Sequence, residues 1–242
     1  ELRRLDQTLA PYAQFGIKPA PGAQGKGILL IAGRDGDAYI QTDGQRLTLK
    51  ELRYYVSGIL SGLYSLGGQV DQAIIEYMLE SDPFFQSISS GGVPDIRIIV
   101  YKGVPIMAMV RLPTRESHGK ANLHQGAVGM GVHISTGLST YAVHKNRPVT
   151  QHPDTGTALT GLQLPAWDQM LEMAAHAFEM TELGYVGVDI AMDKDQGPMI
   201  LELNARPGLS IQIANREGLL RRTALVDHFA LDGKSPAERV GL

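Results

Sequence analysis

The stretch that decides the fold is residues 184–208, GYVGVDIAMDKDQGPMILELNARPG. Its apolar alternation predicts two β-strands, over residues 186–192 and 199–204, joined by a turn over residues 193–198. If this hairpin is symmetric about its turn, Asp189 lies directly opposite Glu202. Because side chains alternate between faces with period two, Glu202 and Asn204 share a face. Three oxygen-bearing side chains therefore converge on one patch of a sheet.

This patch has the chemistry of a site for a hard cation. Two carboxylates and an amide oxygen, without histidine or cysteine, suit Mg²⁺ or Mn²⁺. Magnesium binds through one or two carboxylates and completes its shell with water and substrate phosphates. The alternative is a hairpin face that is acidic only because it is exposed. The pattern favours a metal site formed by Asp189, Glu202 and Asn204.

Composition excludes several classes of protein. The 242 residues are 43% hydrophobic and 19% charged, which is typical of a globular protein with one large domain or two small ones. A formal net charge of −3 argues against nucleic acid as the main partner. The absence of cysteine excludes disulfides, thiolate zinc sites and a cysteine nucleophile.

The ends of the chain and its apolar runs bear on its location. No apolar run approaches the roughly 20 residues of a membrane span, and we expect a cytoplasmic protein. The chain begins at Glu1, inside a helical pattern over residues 1–11. We expect an N-terminal piece to precede it, and a targeting signal in that piece stays open.

A glycine-rich loop lies between the first two predicted strands, over residues 15–18 and 28–32. The intervening PAPGAQGKG does not match the Walker pattern G-x-x-x-x-G-K-[ST], and no helix opens after it. A flexible hairpin loop can still place backbone N–H groups over phosphates, and Lys18 would point into the same space. The alternative is a plain hairpin turn.

The next segment predicts a helix and a strand. Thr48 and Glu51 form a capping box that begins a helix ending near Leu66, before two glycines. Residues 73–79 then predict a buried strand that contains Glu76. A carboxylate in an apolar strand is costly unless it is paired, so Glu76 is either a strand-edge residue or a ligand contact.

The middle of the chain predicts a second hairpin, over residues 95–101 and 106–111. Asp95 and Arg97 share a face, whereas Arg111 joins them only if the turn has an odd length, for instance with a bulge at Gly103. A two-plus-two turn would put Arg111 on the other face. Residues 112–137 predict an irregular loop that closes on a ligand, with a zinc site on its three histidines as the weaker alternative.

The remaining segments complete an α+β architecture with antiparallel sheets. Residues 139–164 predict an exposed β excursion, and residues 165–183 predict a helix with Trp167 on its buried face. Residues 209–220 predict a further helix, followed by a loosely held tail.

Five blocks in this order resemble the ATP-grasp superfamily, and are most similar to its RimK-type and α-L-glutamate ligase-like members. The blocks are IKPAPGAQGKGI, IIEYMLE, PDIRIIVYKGVPIMAMVRL, GKANLHQGA and the hairpin that ends in ELNARPG. The resemblance implies two α+β subdomains clasping ATP, a small one over residues 1–80 and a large one over residues 81–242. It also implies a separate N-terminal domain that this chain does not include.

The resemblance also implies residue roles. Lys18 matches the lysine at the nucleotide phosphates, and a flap above them matches Gly22, Gly25, Lys26 and Gly27. The hinge that reads adenine matches Glu76, Tyr77 and Met78, and the ribose position matches Asp95. The segment near the γ-phosphate matches Lys120, Ala121 and Asn122. The magnesium ligands match Asp189, Glu202 and Asn204.

The implied reaction is ATP-dependent ligation of a carboxylate to an amine through an acyl phosphate. Arg97, Arg111 and Arg206 are the candidates to clamp the carboxylate and the transferring group in bidentate geometry, against the alternative of surface salt bridges. Arg206 stands where relatives often have a small residue. The identity of the substrates, which are small carboxylates and amines or a peptide, therefore stays open. Two other functions also stay open, a kinase and a catalytically silent nucleotide-binding scaffold. Whether the protein forms a homo-oligomer stays open as well.

Overall fold

The structure is a computed structural model that describes residues 2–20, 27–65 and 68–242. The chain divides into two compact units, Glu1–Leu79 and Glu80–Leu242, which are described one at a time. Within the described ranges, no helix is long and apolar enough to cross a membrane.

The first unit is built on a five-stranded antiparallel sheet in the order β4-β3-β2-β1-β5. Its strands are β1 Phe15–Pro19, β2 Leu29–Asp35, β3 Ala38–Gln41, β4 Arg46–Leu47 and β5 Ala73–Glu76. Two helices, α1 Leu5–Leu9 and α2 Leu49–Leu60, contribute side chains to the core on one face. Alternate positions of the strands, such as Phe15, Ile17 and Ile31, are buried in this core.

Two predictions for the first unit need correction. The capping box at Thr48 and Glu51 is confirmed, but α2 ends at Leu60 rather than near Leu66. Gly62 has φ +85° and lies so close to the Gln69 backbone that a Cβ would overlap it, so the helix cannot continue. The strand predicted over residues 73–79 stops at Glu76, and it is a partly exposed edge strand rather than a buried one.

The second unit is built on a seven-stranded antiparallel sheet in the order β10-β9-β8-β7-β6-β11-β12. The strands are β6 Asp95–Tyr101, β7 Val104–Leu112, β8 Val128–Val132, β9 Ser139–His144, β10 Arg147–Val149, β11 Tyr185–Asp193 and β12 Gly197–Asn204. The helices are α3 Pro83–Ser87, α4 Trp167–Thr181, α5 Ile211–Asn215, α6 Leu219–Val226 and α7 Pro236–Val240. The predicted helix and hairpin around residues 165–204 are therefore confirmed.

The two faces of this sheet carry different cores. On one face Ile98, Val110 and Val188 pack with Trp167 and other residues of α4 in the larger core. On the other face Ile99, Met107 and Met109 pack beneath α5 and α6. The charged residues of β6, β7 and β11 share this second face, beside α5 and α6.

Parts of the second unit differ from the sequence prediction. The segment predicted as irregular contains β8, whose Gly129 and Gly131 lie under α5; a Cβ on Gly131 would overlap the carbonyl of Ala214. The single helix predicted over residues 209–220 is two helices, because Arg216 has φ +53° and ends α5. The short helices α3 and α7 were not predicted.

His152, in the loop that follows β10, is buried as a neutral imidazole. Its Nε2 lies 3.0 Å from the Pro113 carbonyl, and its Nδ1 accepts from the backbone N–H groups of Asp154 and Thr155. Burial lowers the pKa of His152 below the usual 6.5. The unfolded chain therefore takes up a proton near that pH, whereas the folded chain takes it up only at a lower pH.

We expect stability to fall as pH decreases below about 6.5, by no more than about 1.4 kcal/mol per pH unit from this group. Urea unfolding at pH 7.5 and pH 5.5 measures the effect, and His152→Ala should reduce the difference between the two pH values. The matched control is His176→Ala, an exposed position on α4. An unchanged difference in His152→Ala would contradict the assignment.

Candidate functional site

The first unit presents an apolar surface with one ion pair on the face opposite its core. In the register of the sheet, Gly16 lies opposite both Leu30 and Glu76, and Lys18 lies opposite Ile74. Leu30 and Ile74 are 39% and 40% exposed, which is unusual for large aliphatic side chains in strands. Lys18 forms an ion pair with Glu76, so the sequence-predicted lysine and hinge glutamate share this face.

The other predicted nucleotide residues of the first unit flank this surface. Tyr77, 51% exposed, and the half-buried Met78 directly follow the end of β5. Gly27 lies in the turn before β2. The flap residues Gly22, Gly25 and Lys26 lie outside the described residues.

In the second unit, the predicted oxygen ligands meet on the β11–β12 hairpin. Asp189 pairs directly with Glu202, and Asn204 pairs with Gly187 two positions along. The Asn204 Nδ2 donates to Asp189 Oδ2 at 3.3 Å. Asp189 is 2% exposed, whereas Glu202 is exposed at the edge of the sheet. The hairpin thus places one buried carboxylate, one open carboxylate and one amide together.

Two arginines from β6 and β7 hold the buried carboxylate. Arg97 donates from Nε to Asp189 Oδ1 at 2.7 Å and from Nη2 to Oδ2 at 2.6 Å. Arg111 donates from Nη2 to Asp189 Oδ2 at 2.6 Å. It also donates from Nε and Nη2 to the two oxygens of Asp95, at 2.5 and 2.7 Å. We call Asp95, Arg97, Arg111 and Asp189 the charged cluster; its formal charges cancel.

The charged cluster limits which nitrogens of the predicted substrate clamp remain available. The Nε–Nη2 edges of Arg97 and Arg111, which form the usual bidentate pairs with carboxylates, already hold Asp189 and Asp95. Arg111 uses both hydrogens of Nη2, so only its Nη1 group remains to donate. Arg97 keeps Nη1 and one hydrogen of Nη2. The outer nitrogens that remain are Nη1 of Arg111 and the Nη1–Nη2 edge of Arg97, and this edge of Arg97 can still bind a carboxylate in bidentate geometry.

A β-bulge brings Arg111 to the face of the charged cluster. The β6–β7 hairpin turns through two residues, Lys102 and Gly103, both with positive φ. The pairing shifts between Ile99–Met107 and Val100–Pro105, so Ile106 is an extra residue in β7 and Asp95 lies opposite Arg111. The expectation of an odd-length turn with a bulge at Gly103 is therefore wrong: the turn has two residues, and the bulge lies within β7, at Ile106. Since a one-residue slip exchanges the faces of a strand, this bulge decides where Arg111 points.

A residue that the sequence did not single out holds this bulge. Arg222 on α6 donates from Nη1 to the carbonyl of Ile106 at 2.8 Å, and its other nitrogens pair with Glu217. A bulge leaves one carbonyl without its ladder partner, and here a long-range guanidinium supplies it. No local pattern around Arg222 signals this contact, because Ile106 is far away in the sequence.

Asp193, the last residue of β11, makes a second set of contacts that the sequence analysis missed. Its Oδ2 accepts from the backbone N–H of Glu80 at 2.8 Å, and its Oδ1 accepts from Asp195 and Gln196. Glu80 is the first residue of the second unit. The hairpin that carries Asp189 and Glu202 therefore also anchors the start of this unit.

The electrostatics of the charged cluster centre on Asp95. Burial raises the pKa of the Asp95 carboxyl to about 7; the neighbouring Arg111 lowers it, and the Asp189 charge raises it further. Asp95 is 7% exposed, so water contributes little to its ionised form. Its ionisation depends on Arg111 staying in place.

The donor set around Asp189 fits a hard cation. Asp189 Oδ1 accepts one hydrogen bond, from Arg97, which leaves a lone pair for a metal. The Glu202 carboxylate forms no hydrogen bond or ion pair with a described residue, and the Asn204 Oδ1 accepts no hydrogen bond from one. No group of three or more His, Cys, Asp or Glu side chains that could hold a metal occurs in the described ranges. The predicted set instead combines two carboxylates with one amide.

The remaining predicted residues lie in loops. Lys120, Ala121 and Asn122 follow β7, where the Asn122 Oδ1 accepts from the His124 backbone N–H at 2.9 Å. Arg206 is exposed two residues after β12. The side chains of Lys120 and Arg206 form no hydrogen bond or ion pair with a described residue, so both cationic groups are available to a ligand.

Comparisons with known proteins give a family and a set of weak structural likenesses. The model of one family, described as sugar-transfer associated ATP-grasp, matches residues 1–228. A search of curated proteins finds no match.

The ATP-grasp ligase PsnB, complexed with a minimal precursor, is 14% identical to this chain and has a TM-score of 0.45. The match covers 94% of this chain and 50% of the PsnB chain. D-cycloserine synthetase DcsG is 17% identical and has a TM-score of 0.45, and the match covers 99% of this chain and 61% of the DcsG chain. The D-alanine–D-alanine ligase of Bacillus anthracis, complexed with ATP, is 12% identical and has a TM-score of 0.40. The match covers 98% of this chain and 51% of the ligase chain.

This chain therefore spans about half to three fifths of the length of these solved structures. The assignment rests on the family model, which covers most of the chain, and on the two antiparallel sheets with their helices. The chain has the ATP-grasp fold and belongs to the sugar-transfer associated ATP-grasp family.

Proposed function

We propose that this protein is an ATP-dependent ligase that joins a carboxylate to an amine and releases ADP and phosphate. The observation that carries the proposal is the convergence of Asp189, Glu202 and Asn204 on one hairpin, with Arg97 and Arg111 bound to Asp189. This arrangement offers oxygen ligands beside fixed positive charge, which is what phosphoryl transfer requires.

The first unit would supply the nucleotide contacts. The exposed Leu30 and Ile74 form an apolar floor that suits a purine ring, beside the backbone that follows β5. Lys18 would exchange its ion pair with Glu76 for the nucleotide phosphates, to which it offers a mobile point charge. The backbone of Glu76, Tyr77 and Met78 would read the adenine edge.

The second unit would hold the reacting groups. Asp189, Glu202 and Asn204 would hold Mg²⁺, which neutralises phosphate charge when it is bound. The outer nitrogens of Arg97 and Arg111 would bind anionic oxygens of the substrate, together with Arg206 and Lys120. Because Arg97 and Arg111 are already fixed by Asp189 and Asp95, they lose little entropy when an anion binds.

The reaction would proceed in two balanced steps. A carboxylate oxygen attacks the γ-phosphorus of ATP, the bond to the β-phosphate oxygen breaks, and ADP leaves. The amine then attacks the carbonyl carbon of the acyl phosphate; phosphate leaves, and the nitrogen loses a proton to solvent. Positioning and charge neutralisation contribute most of the rate, so no nucleophilic side chain is required.

The substrate classes follow from the residues and the family description. The motifs similar to the RimK-type and α-L-glutamate ligase-like proteins favour an amino acid such as glutamate as one substrate and a peptide or small molecule as the other. The description of the family as sugar-transfer associated adds amino sugars and sugar acids to the candidates. Arg206 would contact the carboxylate substrate.

The test is incubation with ATP, Mg²⁺ and panels of amino acids, peptides, amino sugars and sugar acids. ADP release and new amide products are followed together by mass spectrometry. ADP formation that needs both a carboxylate and an amine, with one amide per ADP, is the expected result. A phosphorylated product without amide would instead identify a kinase, and nucleotide binding without turnover on any panel would identify a scaffold.

A further inference from the structure

Asp95 occupies a position that the resemblance assigns to the nucleotide ribose, but its contacts are of another kind. Both of its oxygens accept hydrogen bonds from the Arg111 guanidinium, at 2.5 and 2.7 Å. Its side chain is 9% exposed. A carboxylate that binds ribose hydroxyl groups must offer free lone pairs at an accessible surface. Asp95 instead faces the adjacent strand.

We infer that Asp95 is a positioning residue for Arg111 and does not contact the ribose. The inference rests on the proposed function, since it gives Arg111 an anionic substrate group to bind. Asp95 and Arg111 are paired residues of β6 and β7, and the bulge at Ile106 creates that pairing. The Asp95–Arg111 ion pair is therefore a cross-strand contact fixed by the register of β6 and β7.

The geometry defines what this positioning does. Nε of Arg111 binds Asp95, and the two hydrogens of Nη2 bind Asp95 and Asp189. These three hydrogen bonds fix the plane and rotation of the guanidinium. Its two remaining N–H bonds, both on Nη1, are held in one direction without a hydrogen bond to any described residue. Asp95 thereby holds one pair of donors ready for an anionic oxygen.

Asparagine at position 95 keeps the shape of the side chain but no longer fixes the orientation of the Arg111 guanidinium. Its amide has one acceptor oxygen, and its NH₂ group would face a donor of Arg111. Arg111 would then keep only Asp189 as a charged partner and would rotate more freely. A loss of orientation of this kind typically costs about tenfold to a hundredfold in rate.

The experiment measures Asp95→Asn for turnover and for the binding of ATP, 2′-deoxy-ATP and 3′-deoxy-ATP by calorimetry. We expect kcat to fall about tenfold to a hundredfold. The affinity for ATP should stay within about twofold, and the preference for ATP over each deoxynucleotide should stay that of the wild type. Asp227→Asn, which removes a surface ion pair with Lys102 from the same hairpin, should leave all values unchanged.

Two outcomes would overturn the inference: unchanged kcat in Asp95→Asn, or loss of the preference for ribose hydroxyl groups that the wild type shows. If Asp95→Asn does not fold, the preference for ATP over the two deoxynucleotides is measured on Asp95→Glu, which keeps the charge and both oxygens, and we expect the wild-type preference there. A preference lost in Asp95→Glu identifies a ribose contact.

A separate readout distinguishes this inference from the proposed function. The Nε–H signal of Arg111 in ¹⁵N spectra, identified by its loss in Arg111→Lys, should exchange slowly in the wild type and fast in Asp95→Asn. A wild type without turnover would contradict the proposed function alone. Equal exchange in both proteins would contradict the positioning role alone.

Discussion

Replacing Asp189 with asparagine should lower turnover about 10²–10³-fold, the effect typical of losing one preorganised charged group at a reacting centre. Asp189 is both the buried member of the proposed metal set and the shared acceptor of Arg97 and Arg111. Asparagine has nearly the same shape, so the loss reports charge and coordination rather than packing. Initial rates of ADP and amide formation at saturating substrates measure it.

The same substitution should also destabilise the second unit. It leaves two largely buried guanidinium groups with Asp95 as their only carboxylate partner in the charged cluster. Breaking a buried ion pair by removing one partner costs about 3 kcal/mol or more. Urea unfolding measures this, and rates are compared at a temperature at which both proteins are folded.

The control for Asp189 is Asp195→Asn, in the turn of the same hairpin, where the side chain is 64% exposed. Its nearest cation is Lys194 at 3.9 Å, and exposed pairs of this kind contribute little. We expect wild-type rates and stability there. If Asp189→Asn kept more than about a third of the wild-type rate, the role of Asp189 in the reaction would be wrong.

Replacing Trp167 with alanine should have the largest effect on folding, a loss of about 3–5 kcal/mol in the free energy of unfolding. Trp167 begins α4, is 4% exposed and belongs to the larger core of the second unit. Its Nε1 donates to the Ile134 carbonyl at 2.8 Å. The Trp167 ring lies so close to Gly137 that a Cβ there would overlap it, so the turn at Gly137 packs directly against the indole.

Two variants separate the parts of the Trp167 effect in urea unfolding. Trp167→Phe keeps most of the apolar contact and removes the N–H, so it should lose about 1–3 kcal/mol, mainly from the unpaired Ile134 carbonyl. Met180→Ala, a 66% exposed position on the same helix, should change stability by less than about 0.5 kcal/mol. A loss below about 1 kcal/mol in Trp167→Ala would contradict the packing described.

The sequence predicted those parts of the site that depend on local rules. The pairing of Asp189 with Glu202 was predicted from a hairpin symmetric about residues 193–198, and the register confirms the pair but not its route. Asp193 pairs with Gly197, and a bulge at Leu201 shifts the register between Ile190 and Asp189. The start of α2 followed from the hydrogen-bonding groups of Thr48 and Glu51. In each case the residues that decide the structure lie within one hairpin or one helical turn.

The parts that the sequence could not predict depend on contacts between distant residues. The strand β8 looks like a loop because Gly129 and Gly131 are needed only where α5 packs on them. The face on which Arg111 lies depends on the bulge at Ile106, whose carbonyl is held by Arg222 from α6. The partners of Asp95 depend in turn on that register.

The sequence by itself determined that Asp189, Glu202 and Asn204 lie on one hairpin and that Glu202 and Asn204 share a face, since strand alternation is a local property. Only the tertiary structure decided that Asp189 is bound by Arg97 and Arg111 and that Asp95 faces Arg111. The physical reason is that a bulge shifts register by one residue, and its stabilisation comes from a hydrogen bond to another element of the fold.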